Sequence, residues 1–379
     1  MKIYSTIIVG LMMCVLPSTH ALGQDKTVGD YVFKKDKAKY HGDLFKGKPN
    51  GKGVTKFQNG DVYEGMYLKE KRQGYGVYTF SDGEKYEGEW FEDHQHGKGK
   101  YTFSNGNVYD GLWYKDFQQG KGKMLYYNGD IYEGGWQEDM RAGIGIYTWA
   151  TGESYNGEWE NDKKNGRGTL DWNNGNVYRG QFQNDKRSGR GEYNYSNGDK
   201  YIGDWLNDNM HGRGVYTFAN GDKYEGDYVN GNREGQGKYT YKDGRVYTGA
   251  FRGGMMEGFG ILRWMDGSHY DGYWEKDKQT GRGKYTSKDG EVYDGEWSDG
   301  VMHGEGLLWL KDGTRVKGHF VKGVKHGKCV EYNKDGSTFE GNYIEGVRDG
   351  EFVEKDRNGH VTRRGTYRNG NIEQNYDYR

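Results

Sequence analysis

Proline is almost missing from this chain, with 2 residues in 379, and cysteine supplies only 2 more. Aliphatic side chains are scarce and the mean hydropathy is −1.14. That leaves too little apolar volume for a thick Leu/Ile/Val core. An excess of either charge is missing as well. The 55 basic and 56 acidic residues leave a net of −1, so no whole-molecule field draws the chain to nucleic acid or to an anionic membrane. Nucleic acid is therefore not an expected partner. Disorder is the default for so polar a composition, but disordered segments are poor in aromatics. Here tyrosine supplies 35 residues and glycine 67, so an ordered structure must use those rings.

Long apolar runs are absent beyond one. Met1-Lys2 precedes an apolar stretch from about Ile3 to Pro17, and the small residues Ala21 and Gly23 follow at cleavage-site spacing. This reads as a signal peptide over 1–23, too short to span a bilayer comfortably. Met12-Met13 ahead of Cys14 argue against a lipid anchor there. Export to the periplasm or the cell exterior is the expected localisation. Removal of the leader would leave Cys329 as the remaining thiol, so no intrachain disulfide would staple the mature protein.

What is present is a repeat. A Tyr-x-Gly triplet recurs every 23 residues from Tyr40 through Tyr63, Tyr86 and Tyr109 to Tyr293, and Val316 and Phe339 continue the phase. Gly-x-Gly follows eleven residues after each Tyr, and a turn glycine such as Gly60, Gly83 or Gly106 twenty after it. Period-two alternation predicts two strands per unit. One face carries Tyr63, Gly65, Tyr67, Gly74, Gly76, Tyr78 and Phe80, and in the next unit Tyr86, Trp90, Tyr101 and Phe103. The other carries Glu87, Glu89, Lys98, Lys100 and Thr102. Rings lying across strand glycines should supply the burial, and acid–base pairs across strands should add a few tenths to about 1 kcal/mol each. Asn-Gly and Asp-Gly predict tight two-residue hairpins at one edge, with six-residue polar connections such as Leu68 to Gln73 at the other.

Tyr86-Glu87-Gly88-Glu89-Trp90, Gly97-Lys98-Gly99 and Asn105-Gly106 resemble the MORN (membrane occupation and recognition nexus) repeat family. The resemblance runs over about fourteen units, and the last stretch also resembles the repeats of YwqK-type antitoxin proteins. The expected fold is all-β, an elongated single-layer antiparallel meander. Strands about 4.8 Å apart would carry fourteen hairpins over on the order of 130 Å as a right-handed twisted ribbon. The expected organisation is a signal peptide at 1–23, an N-terminal cap at 24–39, the array at 40–361 and a degenerate C-terminal cap at 362–379. Val316, Phe339, Cys329 and Phe352 depart from the pattern, as capping units do.

No constellation points to catalysis. The Gly-x-Gly pairs lack a third glycine and open no helix, which excludes a dinucleotide loop, and no nucleophile elbow or zinc-protease motif occurs. His303 and His326 share a phase but sit two strands apart, about 9.6 Å, too far for one metal ion. Recurring carboxylates read as a solvated face. The expectation is a non-enzyme without cofactor or metal.

Surface remains. Lys71, Arg72, Lys163, Lys164, Lys186, Arg187 and Lys278 fall at one edge, and Asp61, Glu84, Asp130, Glu153, Asp199 and Asp222 at the other. Opposite-signed edges could orient the ribbon on a surface or pair ribbons side by side. The candidate binding stripe is aromatic: Tyr63, Tyr86, Trp90, Tyr109, Trp113, Tyr132, Trp136, Tyr155, Trp159, Tyr178, Tyr201, Trp205, Tyr224, Tyr247, Tyr270, Trp274, Tyr293 and Trp297. Its supporting glycines are Gly74, Gly76, Gly97, Gly99, Gly120, Gly122, Gly143, Gly145, Gly166 and Gly168. Such a stripe could hold a protein partner or the cell envelope, with a glycan or a lipid as alternatives, unless mutual stacking consumes it. Family resemblance and exposed terminal strands leave homodimers open.

Overall fold

A computed structural model describes residues 25–378. The expected signal peptide and Cys14 lie outside them. Among the described residues there is no helix, and 31 strands run from Lys26–Val32 to Asn371–Asp377. They fall into two compact units. One holds the described residues up to Ala150 with Glu160–Asp162, and the other holds Thr151–Trp159 and everything from Lys163 onward. Within each, consecutive strands pair antiparallel as a meander. The segment expected to be an N-terminal cap forms a strand, Lys26–Val32, paired with Lys39–Phe45. Past Gly359, Val361–Arg368 pairs with Val347–Lys355 and with the exposed last strand.

Each hairpin from Lys39–Phe45 to Val347–Lys355 joins a seven-residue strand to a nine-residue one, as in Lys85–Phe91 and His94–Thr102. The turn chemistry differs from expectation. Strands are linked through Glu92-Asp93 (φ 49° and 74°), Lys115-Asp116 (49° and 71°) and Asn184-Asp185 (49° and 69°). Two successive left-handed residues make the primed two-residue turn that matches strand twist. The expected six-residue connection is therefore mostly strand. The Asn-Gly edge forms the longer loop. Phe103 N–H donates to Asn107 O, Gly106 N–H donates to Phe103 O, and Gly106 alone of that turn takes positive φ, 87°. Asp and Asn tolerate the left-handed region at modest cost, which lets the pattern x-Asp serve where Asn-Gly was expected to.

The two glycines of Gly-x-Gly do different work. The first, Gly97, sits at φ 58° where the register slips between Gly88 and Glu89, a bulge that L side chains resist. The second, Gly99, is the seat of a ring. A Cβ there would lie 2.3 Å from Tyr86 Oη and 2.4 Å from its ring, and one at Gly88 would meet the Gly99 Cα at 2.5 Å. The Tyr86 hydroxyl donates to Glu89 O at 2.8 Å. The same bond recurs from Tyr109 to Leu112 O and from Tyr178 to Gln181 O. Tyr63, Tyr86, Tyr109, Tyr132 and Tyr155 are fully buried, so the core of this thin protein lies between ring and glycine. On the far face Glu87 stands opposite Lys100, and Asp110 opposite Lys123, in the acid–base register expected.

Candidate functional site

The stripe is a wall, and its rings cover one another. Trp90, Trp113, Trp136, Trp159, Trp205, Trp274 and Trp297 are buried, as are the stripe tyrosines from Tyr63 through Tyr178, Tyr201, Tyr224, Tyr247, Tyr270 and Tyr293. Stripe tyrosines meet neighbouring rings edge-on: Tyr86 lies 5.2 Å from Trp90 and 5.3 Å from Trp113, near 90° to both, and Tyr224 lies between Tyr228 and Phe251 in the same way. Trp113 Nε1–H donates to Gly99 O at 3.0 Å, so its polar tip is also engaged. Burial pushes the phenols up, Tyr40 and Tyr67 to about 12. These tyrosines have no ring face to offer a ligand.

What the stripe supports is a groove of about 1100 Å³ in the N-terminal unit. Of the stripe, Trp90, Trp113 and Trp136 reach it. Its floor is completed by second-strand and loop rings, Phe80, Tyr101, Phe103 and Tyr126, each half-buried. Sequence reasoning placed Phe80, Tyr101 and Phe103 on this face without counting them as site residues. The signal was their position at the strand end. Phe103 packs 4.5 Å from Tyr101, which also meets Phe80 at 5.8 Å and Trp113 at 5.9 Å.

Several of the expected edge charges are engaged, while Lys163 and Lys186 stay exposed. Arg72 folds inward, its guanidinium 4.2 Å over Trp90 and 5.2 Å over Tyr78. It donates through Nη2 to Asp93 O at 2.7 Å and pairs with Asp93 Oδ1 at 3.3 Å. Arg187 repeats the arrangement over Trp205, at 4.3 Å, with Asp208 at 3.1 Å. Arg141 pairs with Asp162 at 2.9 Å. Lys278 pairs with Asp299 at 2.8 Å. The turn aspartate also accepts from the preceding repeat's backbone: Asp93 from Arg72 N–H, Asp116 from Gln95 N–H, Asp139 from Gln118 N–H. These bonds, 21 residues apart in sequence, stitch hairpin to hairpin.

The acidic edge is stitched the same way. Asp61 accepts from Tyr78 Oη at 2.6 Å and Ser81 N–H at 2.9 Å. Burial raises the pKa of its carboxyl, but the hydrogen bonds from Tyr78, Asn59 and Ser81 outweigh that and hold it below the usual range. The N–H of Ala219 does most to lower Asp199, against its burial, with Tyr216 and Asn197 adding to it. Much of both opposite-signed edges is thus consumed in holding repeats together. That consumption depends on residues about 20 apart meeting, which no local pattern reveals.

His94, His96, His211, His303 and His326 lie in strands. His96 lies between Phe91 at 5.5 Å and Tyr114 at 5.3 Å. His319 on the intervening strand stands opposite His326 and 6.2 Å from His303. Among the described residues no group of three or more His, Cys, Asp or Glu is placed to hold a metal ion.

Fold and groove together define a tandem hairpin-repeat protein. The chain belongs to the MORN repeat family, whose repeat matches thirteen times over residues 40–244, 247–315 and 317–338. The matches end short of residue 361, to which the sequence pattern carries the array. No curated protein matches the chain. Among solved structures it is similar to the TCP domain of SAS-4 of Drosophila melanogaster, determined with a proline-rich motif of Ana2. That match has 18% identity, 41% of this chain, 85% of the other and a TM-score of 0.27. The TCP10 domain of Danio rerio CPAP, with a peptide of STIL, matches at 14% identity over 72% of this chain and 100% of the other, TM-score 0.24. Virginiamycin B lyase from Staphylococcus aureus matches at 11% identity over 81% and 96%, TM-score 0.13. At such scores the likeness carries no argument about partners.

Proposed function

We propose that this protein is an exported, non-enzymatic scaffold that binds a protein partner along the groove of its N-terminal unit. The observation that carries this reading is the groove itself. Half-buried rings and turn aspartates line it, enclosing about 1100 Å³. Glycan stacking is the weaker reading, because the stripe tyrosines lie fully buried. Export rests on the leader pattern at 1–23, with the array and caps at the boundaries given above. Self-association through the exposed last strand belongs to the same class of function, and light scattering on the mature chain would read it.

The test is site-specific photocrosslinking in the native host. A photoreactive side chain at Phe103 should yield protein adducts, while one at Ile144, exposed outside the groove, should not. Adducts from Ile144 alone would overturn the reading, and lipid or glycan adducts at Phe103 would replace it with the corresponding alternative. N-terminal sequencing of the mature protein tests export, with Gln24 expected as the first residue.

A further inference from the structure

The position nine residues after each stripe tyrosine decides whether the groove is open, and the protein shows what belongs there. At Arg72, Arg141 and Arg187 a guanidinium is bound by the aspartate of the next turn, through Oδ1 at 2.9–3.3 Å and the main-chain oxygen at 2.7–2.8 Å. For Arg72 and Arg187 an indole closes the slot from below, at 4.2 and 4.3 Å. Indole face, carboxylate and carbonyl make a complete receptor for a planar cation.

In two successive repeats between Arg72 and Arg141 this position is glutamine, Gln95 and Gln118. The rest of the receptor is kept. Trp113 and Trp136 line the groove, and Asp116 and Asp139 stand at its rim. Glutamine is uncharged and too short to reach where the guanidinium lies. The groove is lined by both glutamines and, at its ends, by both arginines, and over Trp113 and Trp136 it holds no guanidinium. Charge agrees. Asp93 and Asp162 are each paired with an arginine, whereas Asp139 takes the Gln118 N–H and Asp116 the Gln95 N–H and His94. The centre of the groove is therefore acidic.

Resting on the proposed protein-binding function, we infer that the groove takes an extended basic segment of its partner, with two arginines three residues apart entering the slots at Trp113/Asp116 and Trp136/Asp139. The spacing follows from ladder geometry. Equivalent slots lie two strands apart, about 9.6 Å, and a β-strand would turn every third residue to its opposite face. A polyproline-type segment repeats its face every three residues, at about 9.3 Å, and fits that spacing.

The experiment uses the mature full-length chain and labelled extended peptides in fluorescence anisotropy at two salt concentrations. An Arg-x-x-Arg peptide should bind at least tenfold more tightly than Gln-x-x-Gln, or than a charge-matched peptide with its arginines adjacent. The double variant Gln95→Arg/Gln118→Arg should fold, since arginine already fills this position in neighbouring repeats, and should lose at least tenfold in affinity. Arg72→Gln should open a third slot and tighten binding of a peptide with three arginines at the same spacing. Equal binding by the double variant, or indifference to arginine spacing, overturns the inference. If no basic peptide binds while Phe103 still crosslinks a protein, this inference fails and the scaffold reading stands. If Phe103 crosslinks nothing, the scaffold reading falls as well.

Discussion

The interior repeats and the last two solve one packing problem with different distributions of bulk across the strand pair. In the interior a tyrosine on the first strand lies over a glycine on the second, as Tyr86 does over Gly99. At Val316 the first-strand side chain shrinks, and the glycine opposite becomes Cys329, fully buried. Its Sγ approaches His319 O at 3.8 Å, the carbonyl three residues on that a tyrosine hydroxyl would have reached. At Phe339 the hydroxyl is lost, and Phe352 replaces the glycine and stacks on it at 5.6 Å. The second-strand ring changes too. Where Tyr78 would recur stands Glu331, accepting from Arg348 at 2.8 Å and Tyr343 at 2.8 Å and paired with Lys325. At Val316 and Cys329 what looks like decay of the pattern is compensated substitution, holding volume across the strand pair while chemistry varies. Phe339 and Phe352 instead add a ring and move the packing from ring-on-glycine to ring-on-ring.

Moving one solution into the other region is the strongest way to break that comparison. Tyr86→Val alone should cost about 3 kcal/mol or more through lost burial and a cavity. Gly99→Cys alone should destabilise by about 1–3 kcal/mol, because the tyrosine ring already occupies the space its Cβ would need. Combined, they recreate the Val316/Cys329 pair, and the double variant should be more stable than either single one in urea unfolding. Additive losses would show that the two regions are not equivalent solutions. The reverse move, Cys329→Gly, should cost about 1–3 kcal/mol, read as local loss of hydrogen-exchange protection in the last repeats.

Alkali sharpens the contrast. Burial raises Tyr40 from an ordinary value near 10 to about 12. A raised folded-state pKa means stability fully present below pH 10 and lost as pH rises through 12. Tyr40→Phe, which installs the residue natural at Phe339, should shift the alkaline midpoint upward by circular dichroism. Carboxylates behave with the opposite sign. Asp61, Asp130, Asp199 and Asp222 are held low, so their contribution is complete above the ordinary carboxylate range and lost as pH falls through the depressed values. Asp199→Asn should therefore flatten the acid limb of a stability–pH curve.

The turn latch offers the smallest effect. Asp208 accepts from Arg187 N–H, whereas Gly231, Gly254, Gly300, Gly323 and Gly346 occupy that turn position in later repeats and keep only the backbone bond. Asp208→Gly should cost about 0.5–1.5 kcal/mol for the hydrogen bond, partly offset because glycine takes positive φ without strain. A loss above that range by thermal melting would mean that Arg187 depends on the aspartate to stay over Trp205.

Much of the architecture was legible because it is local and periodic. Tyr-x-Gly and Gly-x-Gly at fixed spacing specify two strands, one aromatic face and a ring over glycine, and alternation sorts Glu87 and Lys100 onto the other face. The site was less legible. The stripe residues were found but as the buried wall, and Gln95 and Gln118 stood out only once Arg72 and Arg141 were seen folded over the groove ends.

The sequence by itself determined the repeat, its period, the strand faces and the family, since each depends on neighbours within one hairpin. Tertiary structure alone decided which edge carries the two-residue turn, which charges are spent and where the surface opens. Those outcomes depend on residues some 20 positions apart meeting across strands. An arginine at an edge reads as free until the aspartate of the next turn closes on it.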